Sequence, residues 1–127
     1  MNKTILPYNI DAERSVLGAV MLNRRALMDV LEIVKSEDFY DPVNGEIYDA
    51  IWELYKESRP VDILTVSEEL RKRGVLKTVG GSAYVAQLTT DVPSTVNAAE
   101  YAKIVSEKSN LRKLITAAEE IANLGYN

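Results

Sequence analysis

The sequence predicts an all-α fold, a compact helical bundle over residues 1–93 followed by one long C-terminal helix over 94–127. Three observations carry this prediction. No stretch of the 127 residues sustains the alternation of a β-strand. Apolar residues recur instead at spacings of three, four and seven, which place them on one helical face. Between Ser94 and Leu124 there is neither glycine nor proline to interrupt such a pattern.

Taken in order, Leu6-Pro7-Tyr8 is an extended lead-in, because proline restricts the residue before it. Asn9 caps a first helix whose opening turn carries Asp11 and Glu13 at the positive end of the helix dipole. Its inner face is Ala12, Val16, Ala19 and Val20, with Leu17 and Met21 alongside. Gly18 within it costs about 1 kcal/mol of helix propensity relative to alanine, which is acceptable where another helix crosses closely. Asn23 caps a second helix with Leu27, Val30, Leu31 and Val34 facing inward. Glu37-Asp38-Phe39-Tyr40 forms a bend that tucks Phe39, the single phenylalanine, into the core.

A third helix starts at Asn44 and carries Ile47, Tyr48, Ile51, Trp52, Leu54 and Tyr55 as the aromatic heart of the bundle, ending at Arg59-Pro60. Thr65-Val66-Ser67-Glu68 reads as a capping box opening a fourth helix, which closes at Gly74. Gly80-Gly81-Ser82 turns the chain into a short helix with Tyr84, Val85 and Leu88, and Thr89 to Pro93 reads as a polar loop. In the final helix Tyr101, Ile104, Leu111, Ile115, Ala118 and Ala122 form a stripe that Leu114 and Ile121 widen. At about 1.5 Å per residue it spans roughly 45 Å, more than a small bundle covers. The stripe therefore either docks on the core as an ordinary terminal helix or serves as an interaction arm for a partner.

Composition narrows the function. A net charge of −4 supplies no basic field to draw the chain onto nucleic-acid phosphate. No stretch approaches the roughly 18 apolar residues of a membrane span. The N-terminus has no apolar signal core, and there are no cysteines, which together fit a cytoplasmic protein. The absence of both histidine and cysteine removes Ser-His-Asp and Cys-His arrangements and thiolate or imidazole metal sites. No phosphate-cradling glycine-lysine motif is present either. The chain reads as a non-enzyme, with no catalytic, cofactor or metal residues of its own.

Other candidate sites fail on their residues. Arg71-Lys72-Arg73 falls in the last turn of a helix, where cations complement the dipole. Thr65 to Leu88 superficially matches a helix-turn-helix, but its would-be recognition element from Ser82 to Leu88 contains no arginine or lysine. Asp41 to Gly45 hints at a calcium loop, yet the bidentate glutamate position would hold Ile51.

In order along the chain stand Pro7-Tyr8-Asn9-Ile10-Asp11-Ala12-Glu13, Val16-Leu17-Gly18-Ala19, Glu37-Asp38-Phe39-Tyr40 and Ile47-Tyr48. Pro60-Val61-Asp62 with Thr65, then Glu69-Leu70-Arg71-Lys72-Arg73-Gly74, come next. Val79-Gly80-Gly81 with Tyr84, Val92-Pro93, and Asn97 leading into Tyr101-Ala102-Lys103-Ile104-Val105 complete the set. Together these segments resemble the N-terminal domain of DnaB-type bacterial replicative helicases, over nearly the whole chain. The resemblance implies a bundle followed by a helical hairpin, of which this chain holds the first arm. It implies a collar that pairs subunits in a hexameric ring, a trimer of dimers, and binds the primase C-terminal domain. The motor, with its ATP and Mg, would lie in a separate domain, and a helicase loader is a further possible partner. By position, the implied partner-binding residues are Asp11, Tyr84, Arg112, Ile115 and Ile121. Two alternatives stay open: the helicase-binding domain of a primase, which has the same fold, and a stand-alone helical adaptor or transcription regulator.

Overall fold

The computed structural model describes residues 5–127. Six α-helices and one 3-10 turn make up its regular structure: α1 (Ile10–Leu22), α2 (Arg24–Leu31), the turn at Ser36–Asp38, α3 (Pro42–Lys56), α4 (Ile63–Lys72), α5 (Gly81–Asp91) and α6 (Ala98–Tyr126). Helix α1 is central. It packs against α2, α3, α5 and the first half of α6, while α4 bridges α3 and α5.

The start signals are mostly where the sequence puts them. The side-chain oxygens of Asn9 and Asn23 accept from the backbone N–H of Ala12 and Ala26, both at 2.9 Å. Each satisfies a donor that the first turn of a helix leaves free. Several boundaries differ from expectation. Helix α3 begins at Pro42 with Asp41 as its cap, so Asn44 lies inside it and is fully buried. Proline suits a first helical position, where its missing N–H is not needed. Helix α4 is capped by Asp62, not Thr65. Thr65 is the reciprocal member of the box, its Oγ1 accepting from the Asp62 N–H while Asp62 Oδ1 accepts from the Thr65 N–H. Helix α5 continues through Thr89 and Thr90, whose hydroxyls donate back to the Ala86 carbonyl at 2.8 and 3.4 Å and so keep a polar stretch helical. The long helix starts at Ala98, four residues later than Ser94.

The core contains Val16, Leu17, Val20, Leu27, Val30, Ile47, Tyr48, Ile51, Leu54, Leu70 and Leu88. Phe39 is buried as expected, its ring 4.9 Å from that of Tyr48. Trp52 is not core. It is 41% exposed and stacks on Tyr55 at the surface. The buried stripe of α3 runs through Ile47, Tyr48, Ile51 and Leu54, and Trp52 falls about 100° of arc beyond Ile51. Gly18 has the close neighbour its presence requires: a Cβ there would overlap the Leu88 carbonyl oxygen, with Val92 Cβ 3.2 Å away. Helices α1 and α5 therefore cross at backbone contact. Arg73, the last of the basic triplet, is held by Asp49 at 2.9 Å and Glu69 at 3.1 Å, tying α4 to α3.

Ile51→Ala should destabilise by about 3 kcal/mol and Trp52→Ala by well under that; equal losses in chemical denaturation would contradict the core described. Gly18→Ala should also be costly, by about 3 kcal/mol, because backbone overlap outweighs a helix-propensity gain of about 1 kcal/mol. A stabilised alanine variant would show that α1 and α5 can part freely. Tyr48, whose hydroxyl donates to the Val34 carbonyl at 2.9 Å, is held neutral far above the usual tyrosine range, first by burial and second by the charge of Asp38. Its folded pKa is raised, so its contribution is intact below the unfolded pKa of about 10 and fades above it. Stability should then fall by about 1.4 kcal/mol per pH unit for each such tyrosine. In Tyr48→Phe that alkaline slope should be shallower; an unchanged slope would exclude Tyr48 as its source.

Candidate protein-docking faces

Two faces carry the five residues singled out from sequence. The first is where α1 meets α5. Asp11 is exposed in the opening turn of α1 and lines a shallow hollow with Ile10, Arg14, Ser15, Asp91 and Pro93. Arg14 donates to Asp91 Oδ2 at 2.8 Å, and its guanidinium lies 5.2 Å from the centre of the Tyr84 ring. Tyr84 is half-buried, and its hydroxyl donates to Asn44 Oδ1 at 2.9 Å. Burial raises its pKa, an effect that the nearby Arg14 charge opposes. Asp11 and Tyr84 thus share one face, with Arg14 between them.

That face is positioned from below by Glu13. Its carboxylate is 1% exposed and accepts from the backbone N–H of Tyr40 at 2.6 Å and of Asp41 at 3.3 Å. It also accepts from Asn44 Nδ2 at 3.1 Å. Three donors compensate the loss of water around a buried charge. From sequence Glu13 reads only as a helix-dipole partner. The signal that it is buried lay in the spacing, since Glu13, Val16, Leu17 and Val20 form one stripe and all are enclosed.

The second face is on α6. Ala98, Ala102, Val105 and Ser109 are its buried residues, and α6 has none beyond Ser109. Past that point the helix leaves the bundle. Ile115 is partly covered, whereas Ile121 is 68% exposed, together with the exposed Leu111, Leu114, Leu124 and Tyr126. A run of large apolar side chains on an otherwise polar helix is the usual mark of a protein contact surface. Arg112 differs from the other two arm residues. It is partly buried and turned toward the bundle, donating to the carbonyls of Pro7 and Asp38. Among the described residues no hydrogen bond joins Arg112, Ile115 or Ile121 to Asp11 or Tyr84.

Among the described residues no group of three or more His, Cys, Asp or Glu side chains is placed to hold a metal ion. None of the helices described is long and apolar enough to cross a membrane.

Comparison with known proteins agrees with this architecture. The family model of the DnaB-like helicase N-terminal domain matches residues 5–107. Over 120 residues, 94% of this chain, the sequence is 44% identical to the replicative DNA helicase DnaB of Mycobacterium leprae, of which it covers 20%. It is 42% identical over 126 residues to the replicative DNA helicase DnaC of Bacillus subtilis, covering 28% of that protein. The chain therefore spans well under a third of the length of these relatives. The crystal structure of the N-terminal domain of DnaB helicase from Mycobacterium tuberculosis superposes with a TM-score of 0.94 at 42% identity, covering 97% of this chain and 89% of that one. The N-terminal domain of DnaB helicase from Helicobacter pylori, described with its interactions with primase, shares the fold at a TM-score of 0.78 and 23% identity, over 92% of this chain and 91% of that one. On the family match and these identities, the chain belongs to the DnaB-like helicase N-terminal domain family.

Proposed function

We propose that this chain acts as the non-catalytic collar domain of a replicative DNA helicase, pairing subunits within a hexameric trimer of dimers and docking the C-terminal domain of primase. The observation that carries this reading is the free end of α6. Beyond Ser109 none of its apolar side chains is buried, and Leu111, Leu114, Ile121, Leu124 and Tyr126 are exposed, although the bundle beneath is fully packed. The Helicobacter pylori domain of the same fold, described with its primase interactions, supports primase as one occupant. A second arm of the same kind, completing a helical hairpin, is the other. The functional division then falls between the bundle of residues 1–93 and the arm of 94–127.

In this reading Ile115 and Ile121 supply apolar contact, while Asp11 and Tyr84 offer a polar second footing on the α1/α5 face. ATP and Mg belong to a motor elsewhere in the parent protein, which works in the cytoplasm, and this chain contributes no turnover. Direct binding to single-stranded DNA is weak at physiological salt because the net charge is negative. A helicase loader is a further candidate for the same face.

Changing Ile115 and Ile121 together to aspartate should leave stability within about 1 kcal/mol, as for surface substitutions. It should weaken self-association or binding of the cognate primase C-terminal domain at least about tenfold, a change of about 1.4 kcal/mol. Sedimentation and calorimetric titration read the two separately. If both interactions survive while the melting temperature collapses, the arm is part of the core and the docking role is wrong.

A further inference from the structure

The direction in which the free end of α6 leaves the bundle is set at its base, and there the contacts are polar and directional. Ser109 Oγ donates to Asp38 Oδ1 at 2.7 Å, and Lys113 Nζ lies 3.5 Å from the same oxygen. Arg112 reaches two separate segments: Nη2 donates to the Asp38 carbonyl at 2.7 Å and Nη1 to the Pro7 carbonyl at 2.8 Å. Its guanidinium lies 5.5 Å from the centre of the Tyr40 ring. Tyr40 in turn stacks on Tyr8, with ring centres 4.4 Å apart and planes within 12°. The planar, five-donor fork of arginine can satisfy two carbonyls and a ring face at once, which a lysine cannot. The lead-in through Pro7 and Tyr8 thus lies as a strap across the base of the arm, joined to it through Arg112.

We propose that Arg112 is a positioning residue that fixes the angle of the arm, and that the Pro7-Tyr8 strap couples the N-terminal end of the chain to that angle. Apolar packing allows two helices to slide, whereas hydrogen bonds lose strength steeply as their angles change. Past Lys113 the arm extends about 20 Å, so a tilt of about 15° displaces its tip by about 5 Å. Tyr8 braces the Tyr40 ring that Arg112 lies against, so displacing Tyr8 frees that ring to move, loosens the strap that carries the Pro7 carbonyl, and lets the arm tilt. For docking, this rests on the arm being the partner surface; the fixing of its angle does not.

The chain has no native cysteine, so two can be placed for spin labels, at the exposed positions Lys72→Cys on α4 and Asn123→Cys on the arm. Pulsed electron resonance on the full chain, diluted with excess unlabelled protein, reads the distance between them. The expected result is one narrow distribution in the parent chain and a distribution shifted or spread by about 5 Å in Arg112→Ala and in Tyr8→Ala. Arg112→Lys, with charge but no fork, should spread it as well. An unchanged distribution in both Arg112→Ala and Tyr8→Ala overturns the proposal. Tyr8 lies off the arm, so titration with the cognate primase C-terminal domain tests the coupling: Tyr8→Ala should lose about tenfold in affinity. Native affinity with a spread distribution would overturn the coupling to docking. The Ile115/Ile121 double aspartate should keep the narrow distribution while losing affinity; if it binds normally, the docking role fails and the strap is judged by distance alone.

Discussion

One buried carboxylate organises this domain. Glu13 sits on the enclosed face of α1, and its oxygens take the N–H groups of Tyr40 and Asp41 and the amide of Asn44. A carboxylate without water is stable only when its hydrogen bonds are replaced, so the bend at residues 38–41 has to come to α1. Once it does, Asp41 is in place to cap α3, and Asn44, one turn further on, passes the constraint to Tyr84 on α5. The same bend presents Asp38 and Tyr40 to α6. Four helices thus take their relative placement from a polar knot, and the apolar core fills the space it defines.

Local signals in this chain were legible, and those that depend on distant partners were not. Asn9 and Asn23 could be read as caps because a short oxygen-bearing side chain before an apolar run has few other uses. Gly18 announced a close helix crossing, and α5 supplies it. The fold class followed from helical spacing and the lack of strand alternation, whereas the stripe of the last helix left docking and a free arm both open, and the structure shows its first half docked and its second half exposed. The size of Trp52 suggests burial, but the buried stripe through Ile47, Ile51 and Leu54 passes beside it. Asp62 outcompeted Thr65 as a cap because the two form a reciprocal pair, which a reading fixed on the Ser/Thr-x-x-Glu order overlooks. Of the five residues implied by the resemblance, Ile115 and Ile121 were readable as part of the arm's apolar stripe, of which Ile121 is exposed and Ile115 partly covered. The role of Arg112 was not, since it bonds carbonyls 74 and 105 residues away and main-chain oxygens carry no sequence signature.

The charges follow the same division between scaffold and surface. Arg73, Arg14 and Arg112 each join separate elements, meeting an oxygen of another element at 2.7 to 2.9 Å. The ion pairs within one helix, such as Lys56 with Glu53 and Lys103 with Glu100, lie at the surface and add little beyond solubility. A basic residue in this chain is informative when it leaves its own helix.

The placement of α1 has a consequence for how the chain is made. Its apolar face is covered largely by α5 and by Ala98–Ser109 of α6, from the far end of the sequence. A chain emerging from the ribosome N-terminus first would carry α1 with α2 and α3 but with that face still open to water, until nearly the whole domain had been synthesised. Long-range closure of this kind slows folding and leaves apolar surface exposed in the interim. The nascent domain is therefore most prone to aggregate, and most in need of a chaperone, in the interval before α6 appears.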